Sequence, residues 1–340
     1  MPHSFFVFLE QMISDPVLMI TSLLTMSVLL VNGWTDAPNA IAGAVLSGAL
    51  PFRRAVLLAA VCNFLGVLCI TAVNSSVAQT VYAIARFSGG PGERLTALCA
   101  AMFAIVLWAG AAWWFGIPTS ESHALTAGIT GAAIALEGSL SCVRWDSWGK
   151  VFLGLLLSAL AGTGLGQAAR QLLARLPLPS GALNLFQIPA AAALAFLHGA
   201  QDGQKFLGVF LLGTALAQGH GPEIHPFIPP WLMVLCAGLM ALGTLMGGRR
   251  IIDKLGRGTA GLSQKEGVAA DLGSMVCLSL ATWLGLPVST THTRTCALLG
   301  SGRCVDRAIA GQLLSAWLLT FPSCLAIGYM AAKLFLSFLT

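Results

Sequence analysis

From residue 16 onward, apolar runs of membrane length follow one another, separated by short polar or proline-rich stretches. A helix that crosses a bilayer needs about 20 mostly apolar residues, and the pattern supplies them repeatedly. A first span covers about 16–31, is interrupted at Asn32–Asn39 and resumes through Leu50. Spans follow at 55–73 and 95–115, then a run headed by Pro118 that reaches Leu136, then a span at 151–169. After a linker at Arg170–Pro179 the plan repeats: 184–197, an interruption at 198–205, a run to Ala217, spans at 231–247 and 267–286, a proline-headed helix at 287–300 and a last span at 308–335. The pattern predicts an all-α polytopic membrane protein of about ten to twelve membrane segments, four of them half-length pieces at the interruptions.

The interruptions are related to each other. Aligning Asp36 in VNGWTDAPNAIAG with Asp202 in HGAQDGQKFLG also pairs Gly33 with Gly199, Thr35 with Gln201 and Asn39 with Lys205. A second motif recurs as GIPTSESHA at 116–124 and GLPVSTTHT at 285–293. Asp36 precedes Pro118 by 82 residues and Asp202 precedes Pro287 by 85. Two motifs in one order at nearly one spacing predict an internal duplication, with residues 1–175 and 182–340 as two repeats of a single transmembrane unit. Pro38 removes a backbone donor and disfavours helix at Ala37, so a break or unwound turn is expected there.

Composition fits. Hydrophobic residues make up 56% of the chain and charged residues 9%, against roughly 25% charged in soluble domains, and the mean hydropathy is +0.82. The net charge of +5 lies between apolar runs, where it reports topology and not a nucleic-acid partner. The basic stretch Arg249–Glu266 is expected on the cytoplasmic side. Residues 1–16 hold Glu10 and Asp15 but no Lys or Arg, so no cleaved leader is expected. The nine cysteines are scattered without C-x-x-C spacing, which suggests neither a metal site nor a disulfide framework. His220 and His225 read as solvated loop residues, and Trp113–Trp114 as an interface anchor. The chain is not expected to be an enzyme: H-E-x-x-H is absent, and the polar groups come as a duplicated set instead of one asymmetric triad. Paired carboxylates in the pathway argue against an anion channel.

Interrupted helices at matching places in a repeat point to a transporter's binding site. Backbone groups freed at membrane depth must line a polar cavity, and half-helix N-termini present N–H groups and a positive dipole end to anions. At 118–123 and 287–292 these starts carry Thr119, Ser120, Ser122, Ser289, Thr290 and Thr291, a donor set for a tetrahedral oxyanion. An ionised Asp at the centre of a span costs about 3 kcal/mol, and a nearby phosphate adds repulsion with Asp36 and Asp202. The site is tenable when cations enter with the anion, as Na⁺ on carboxylate and amide oxygens or as protons on the aspartates. Asn39, Gln201 and Gln204 are suitable oxygen donors, and Lys205 either binds the anion or neutralises Asp202. His123 and His292 either relay protons or tie the half-helices to their neighbours. Arg294 is expected to reach toward an interface.

NGWTDAPNAIAG, HGAQDGQKFLG, PTSESHA and GLPVSTTH, in this order, resemble the paired signatures of the PiT family of inorganic phosphate transporters over essentially the whole chain. The resemblance implies an inverted-repeat helical fold with re-entrant half-helices, often dimeric, that moves phosphate with Na⁺ or H⁺. It implies a phosphate site at Asp36, Thr119, Ser120, Ser122, Asp202, Lys205, Ser289, Thr290 and Thr291. The cation-coupling groups would be Asp36, Asn39, Asp202, Gln204 and Asp271, with Na⁺ at the first four if sodium is the ion. Thr35, Gln201 and Glu121 depart from the family's usual residues, and Asn63 stands where eukaryotic members tend to have Glu. The function expected is a symporter working by alternating access, with no cofactor beyond the coupling ion. It would be a homodimer in the lipid bilayer of the cell membrane, the inner membrane in a bacterium. A sulfate or other oxyanion permease of the same fold is the alternative.

Overall fold

A computed structural model describes residues 4–115, 120–219, 227–249, 252–253, 263–302 and 307–339. The expected Thr119, Pro118, His220 and His225 lie outside these residues, as does much of the basic stretch after Arg249. The described chain is helical, and its strand-like pairing is limited to one isolated bridge between Ala85 and Val143. The helices of the first half are α1 (Phe5–Ser14), α2 (Pro16–Thr35), α3 (Ala37–Leu46), α4 (Phe52–Val73), α5 (Ser76–Tyr82), α6 (Pro91–Phe115), α7 (Glu121–Glu137) and α8 (Trp145–Ala174). The second half has α9 (Ser180–His198), α10 (Gln204–Ala217), α11 (Pro230–Met246), α12 (Gln264–Trp283), α13 (Thr290–Ser301) and α14 (Arg307–Leu339).

Among the described residues, six stretches are long and apolar enough to cross a membrane by themselves: Pro16–Leu46, Phe52–Val73, Pro91–Ala111, Trp145–Ala174, Ser180–Ala217 and Leu318–Phe338. The ten to twelve segments expected include half-length pieces, which this count joins or leaves out. Two of the six are helix pairs that run through the interruptions, and α7, α11 and α13 are shorter than a full span. The outward faces are apolar: α4 exposes Leu57, Val61 and Leu65 at helical spacing while it buries Asn63. Polar groups are thus gathered inside and hydrocarbon outside, as lipid requires.

Neither interruption is an unwound segment. At the first, the Asp15 side chain caps α2, and the helix runs past Val31 to Thr35. Asp36 is a one-residue joint with helical angles (φ −98°, ψ −34°). Its N–H still reaches the Asn32 carbonyl at 2.9 Å. Pro38 falls in the first turn of α3, where its missing N–H is one that no helical partner would have used. At the second, α9 widens into a π-turn over Gly199–Gly203 and continues as α10. One-turn widenings of this kind concentrate at functional sites. The chain stays helical through both joints, and the polar side chains there are what the interruption offers.

α4 lies directly against the end of α9 and the π-turn. A Cβ on Gly66 would run into the Phe196 carbonyl, and one on Gly199 into the Asn63 carbonyl. Backbone meets backbone, with no flexible side chain to yield. Gly199→Ala is therefore expected to lower stability by about 1–3 kcal/mol, read as a lower melting temperature in detergent. Gly238→Ala, in open space on α11, is the control and should leave it unchanged or raise it. Equal melting temperatures for the two variants would exclude the contact.

Candidate functional site

The two joints meet in the middle of the molecule. Asn32, four residues before Asp36, places its amide nitrogen 3.2 Å from Asp36 Oδ2 and 3.4 Å from Asp202 Oδ2. One side chain thus bridges the two repeat-equivalent carboxylates. His198 stands in the same relation to Asp202, four residues ahead, with Nε2 3.2 Å from Oδ2. Its Nδ1 faces Asn63 Oδ1 at 3.0 Å, and the Asn63 amide donates to Thr244 Oγ1 at 2.9 Å. A buried polar chain therefore runs from α11 through α4 and α9 to the carboxylates. Asp36, His198 and Asp202 each offer a ligand atom, all within 4.8 Å of one another, close enough to share one cation.

The helix starts close the site from the other side. Ser120 and Ser289 cap α7 and α13, each accepting the N–H of the histidine three residues on, at 3.3 and 3.2 Å. The hydroxyls that follow are cross-linked between halves. Lys205 Nζ donates to Ser122 Oγ at 2.7 Å, to Asp202 Oδ1 at 2.5 Å and to the Val288 carbonyl. Its repeat-equivalent, Asn39, donates to Thr291 Oγ1 at 3.1 Å. Each joint therefore reaches a side chain at the helix start of the opposite half. Within its own half, Thr290 Oγ1 donates to Asp202 Oδ2 at 3.3 Å, and Thr35 Oγ1 donates to Glu121 Oε1 at 2.9 Å.

Asp202 and Lys205 are almost fully buried, whereas Thr35, Asp36, Asn39 and Thr291 are half-buried and form the more open side. His123 stacks on Phe321 with ring centroids 4.4 Å apart and meets His292 edge-on at 5.9 Å. The repeat-equivalent histidines thus lie behind the helix starts, against each other.

Of the residues singled out in the sequence, Asp36, Asn39, Ser122, Asp202, Lys205, Thr290 and Thr291 come together here, with Ser120 and Ser289 as caps. Gln204 does not. Its Nε2 donates to the Asn74 carbonyl at 3.0 Å and its Oε1 accepts from Ala78 N–H at 3.4 Å, so both ends of the side chain are held by the turn into α5. Gln201 likewise points to Thr282 and the Leu286 carbonyl. Asp271 forms a separate buried ion pair with Arg294, 2.8 Å apart. This overturns the expectation that Arg294 snorkels: a carboxylate one helix away is a better partner than a distant interface. Asn32, His198 and the inward-facing Glu121 were not among the expected site residues. The i, i+4 spacing of Asn32 to Asp36 and of His198 to Asp202, the same in both repeats, was the available signal.

The profile of the phosphate transporter family matches residues 32–183 and 179–328. A Bacillus subtilis protein described as "Probable low-affinity inorganic phosphate transporter" is 31% identical over 331 residues, covering 93% of this chain and 97% of its own. A Mycobacterium tuberculosis (H37Rv) protein with the same description is 34% identical over 303 residues, covering 86% and 71%. Among solved structures, one described as "The sodium-dependent phosphate transporter" superposes with a TM-score of 0.83 at 20% identity, covering 94% of this chain and 99% of that one. The arrangement of helices is thus shared with that structure.

Proposed function

Since the chain belongs to the phosphate transporter family, we propose that it carries inorganic phosphate across the membrane in symport with a monovalent cation, Na⁺ or H⁺, by alternating access. The observation that carries this reading is the bridged carboxylate pair, Asp36 and Asp202, set against two capped helix starts. The helix starts and their hydroxyls suit an oxyanion. The carboxylates oppose one: a unit charge pair about 5 Å apart repels by about 3 kcal/mol at an effective dielectric near 20. Asp36, Asp202 and Glu121 outnumber Lys205, so an anion is admitted only together with cations that neutralise the excess. Asp36, Asn39 and Asp202 accept the cation in this reading, with Asn32 and His198 orienting them. Ser122, Lys205, Thr290 and Thr291 face the phosphate, and Ser120 and Ser289 fix the helix starts. Gln204 and Asp271, held by other partners, are left out of the coupling set.

The same reading takes residues 1–175 and 182–340 as inverted repeats of one transmembrane unit. In support, equivalent residues of the two halves make reciprocal contacts, Lys205 to Ser122 and Asn39 to Thr291. It also takes the protein as a homodimer in the cell membrane. The sodium dependence named for the structural relative favours Na⁺. The test is radiolabelled phosphate uptake into proteoliposomes under an imposed Na⁺ gradient and, separately, a proton gradient, with unlabelled sulfate as competitor. Uphill phosphate uptake under one gradient, undiminished by sulfate, is the expected result. Absence of accumulation under both gradients would overturn the phosphate symporter, and competition by sulfate would show that the site also admits that oxyanion.

A further inference from the structure

Glu121 opens α7 directly after its cap, at the position that Thr290 occupies in α13. The two repeat-equivalent residues act in opposite senses. Thr290 donates to the carboxylate of its joint, Asp202, while Glu121 is itself a carboxylate and accepts from Thr35, the neighbour of Asp36. The first side of the site therefore holds two carboxylates, Asp36 and Glu121. The second side holds one, Asp202, with Lys205 against it.

Glu121 is only 8% exposed, and its Oε2 has no hydrogen-bond partner among the described residues. The same holds for Oδ1 of Asn32, 1% exposed, on the side chain that joins the aspartates and also faces the Glu121 carboxylate. Lys205 does not supply the missing donor: its ammonium is directed at Asp202, Ser122 and the Val288 carbonyl. A buried acceptor left without a donor is unfavourable, and one positive charge beside the Glu121 carboxylate, with the Asn32 side chain next to it, satisfies it.

We propose that Glu121, Asn32 Oδ1 and the Thr35 hydroxyl form a binding position for one further monovalent cation, so that this chain moves one more positive charge with each phosphate than a variant with a hydroxyl at position 121. The inference rests on the symport reading and adds a stoichiometric claim to it. Na⁺ and a proton are the two sources of that charge, and separate gradients distinguish them.

The experiment measures the plateau of phosphate accumulation in proteoliposomes at zero membrane potential under a tenfold gradient of the coupling cation. At equilibrium each coupled cation multiplies the plateau ratio by the gradient, so losing one lowers it about tenfold, whatever the transport rate. Glu121→Gln removes the charge at constant shape, and Glu121→Thr installs the residue that the second repeat already accommodates. Both are expected to reach a plateau about tenfold lower than wild type under the gradient of the cation bound there, and a purely structural role would change only the rate. Wild-type plateaus in both variants would overturn the proposal. So would loss of all transport in both while they remain folded, since a supplementary site must be dispensable. If the wild-type protein itself accumulates nothing under either gradient, the symport reading fails first, which separates the two outcomes.

Discussion

Lys205→Met is expected to abolish phosphate uptake and to lower stability by about 3–5 kcal/mol, the usual effect of removing one partner of a buried ion pair. Lys205 is 1% exposed and is the point where three parts of the site converge: Asp202 from the π-turn, Ser122 from α7 and the Val288 carbonyl just before α13. Methionine matches the length of lysine but donates nothing, so Asp202 would keep its charge in the protein interior with only Asn32, His198 and Thr290 beside it. The double variant Lys205→Met with Asp202→Asn removes the orphaned charge. It is expected to regain most of the lost melting temperature while remaining inactive, because the tie between the two helix starts is still absent. Uptake by Lys205→Met within a few-fold of wild type would show that the lysine is only a counter-ion.

Arg294→Leu is expected to destabilise the protein by a similar amount for a different reason. Its guanidinium pairs with Asp271 across α13 and α12, and both residues are buried. The pair also lies against α3: a Cβ on Gly43 would sit 3.1 Å from Asp271 Oδ2 and 3.6 Å from Arg294 Nη2. Truncating the arginine leaves a carboxylate in a place that water does not reach, at about 3–5 kcal/mol. Adding Asp271→Leu should restore most of that, since two apolar groups of similar bulk replace a buried pair at little net cost. The readout is thermal unfolding in detergent, with uptake measured on the double variant. A melting temperature unchanged in Arg294→Leu would mean that the arginine reaches water, as its sequence position first suggested.

Much of this architecture is legible in the sequence. Long apolar runs carry their own signal because lipid leaves a helix no alternative, and the doubled motifs located Asp36, Asp202 and the two capped helix starts. What stayed hidden depends on contacts between distant segments. Gln204 reads as a coupling group beside Asp202, yet α5 packs close enough for its backbone to claim both ends of the side chain. Arg294 has its carboxylate 23 positions earlier, brought alongside by the return of α13 on α12. The form of the joints was equally non-local. Gly199–Gly203 has no proline, and nothing in the local sequence distinguishes an unwound turn from a widened one. The tight seat of Gly199 on the Asn63 carbonyl belongs to α4. Asn32 and His198 are hard to single out because an amide and an imidazole inside apolar runs read as punctuation, although their spacing to the aspartates is the same in both halves.

The stretch from Ser180 to Ala217 has a consequence for how the protein is made. Near its middle lie His198, Gln201, Asp202, Gln204 and Lys205, all buried in the finished structure. A charged residue at mid-membrane opposes insertion by about 2.5–3.5 kcal/mol, and this stretch carries two. Entering the bilayer alone, they would have only each other as partners. The groups that receive them include Asn32, Asn63, Asn74 and Ser122, and every one of these is synthesised earlier. Thr282, Val288 and Thr290 follow only later. The ribosome thus delivers most of the receiving groups before the stretch that needs them, and the carboxy-terminal ones after it.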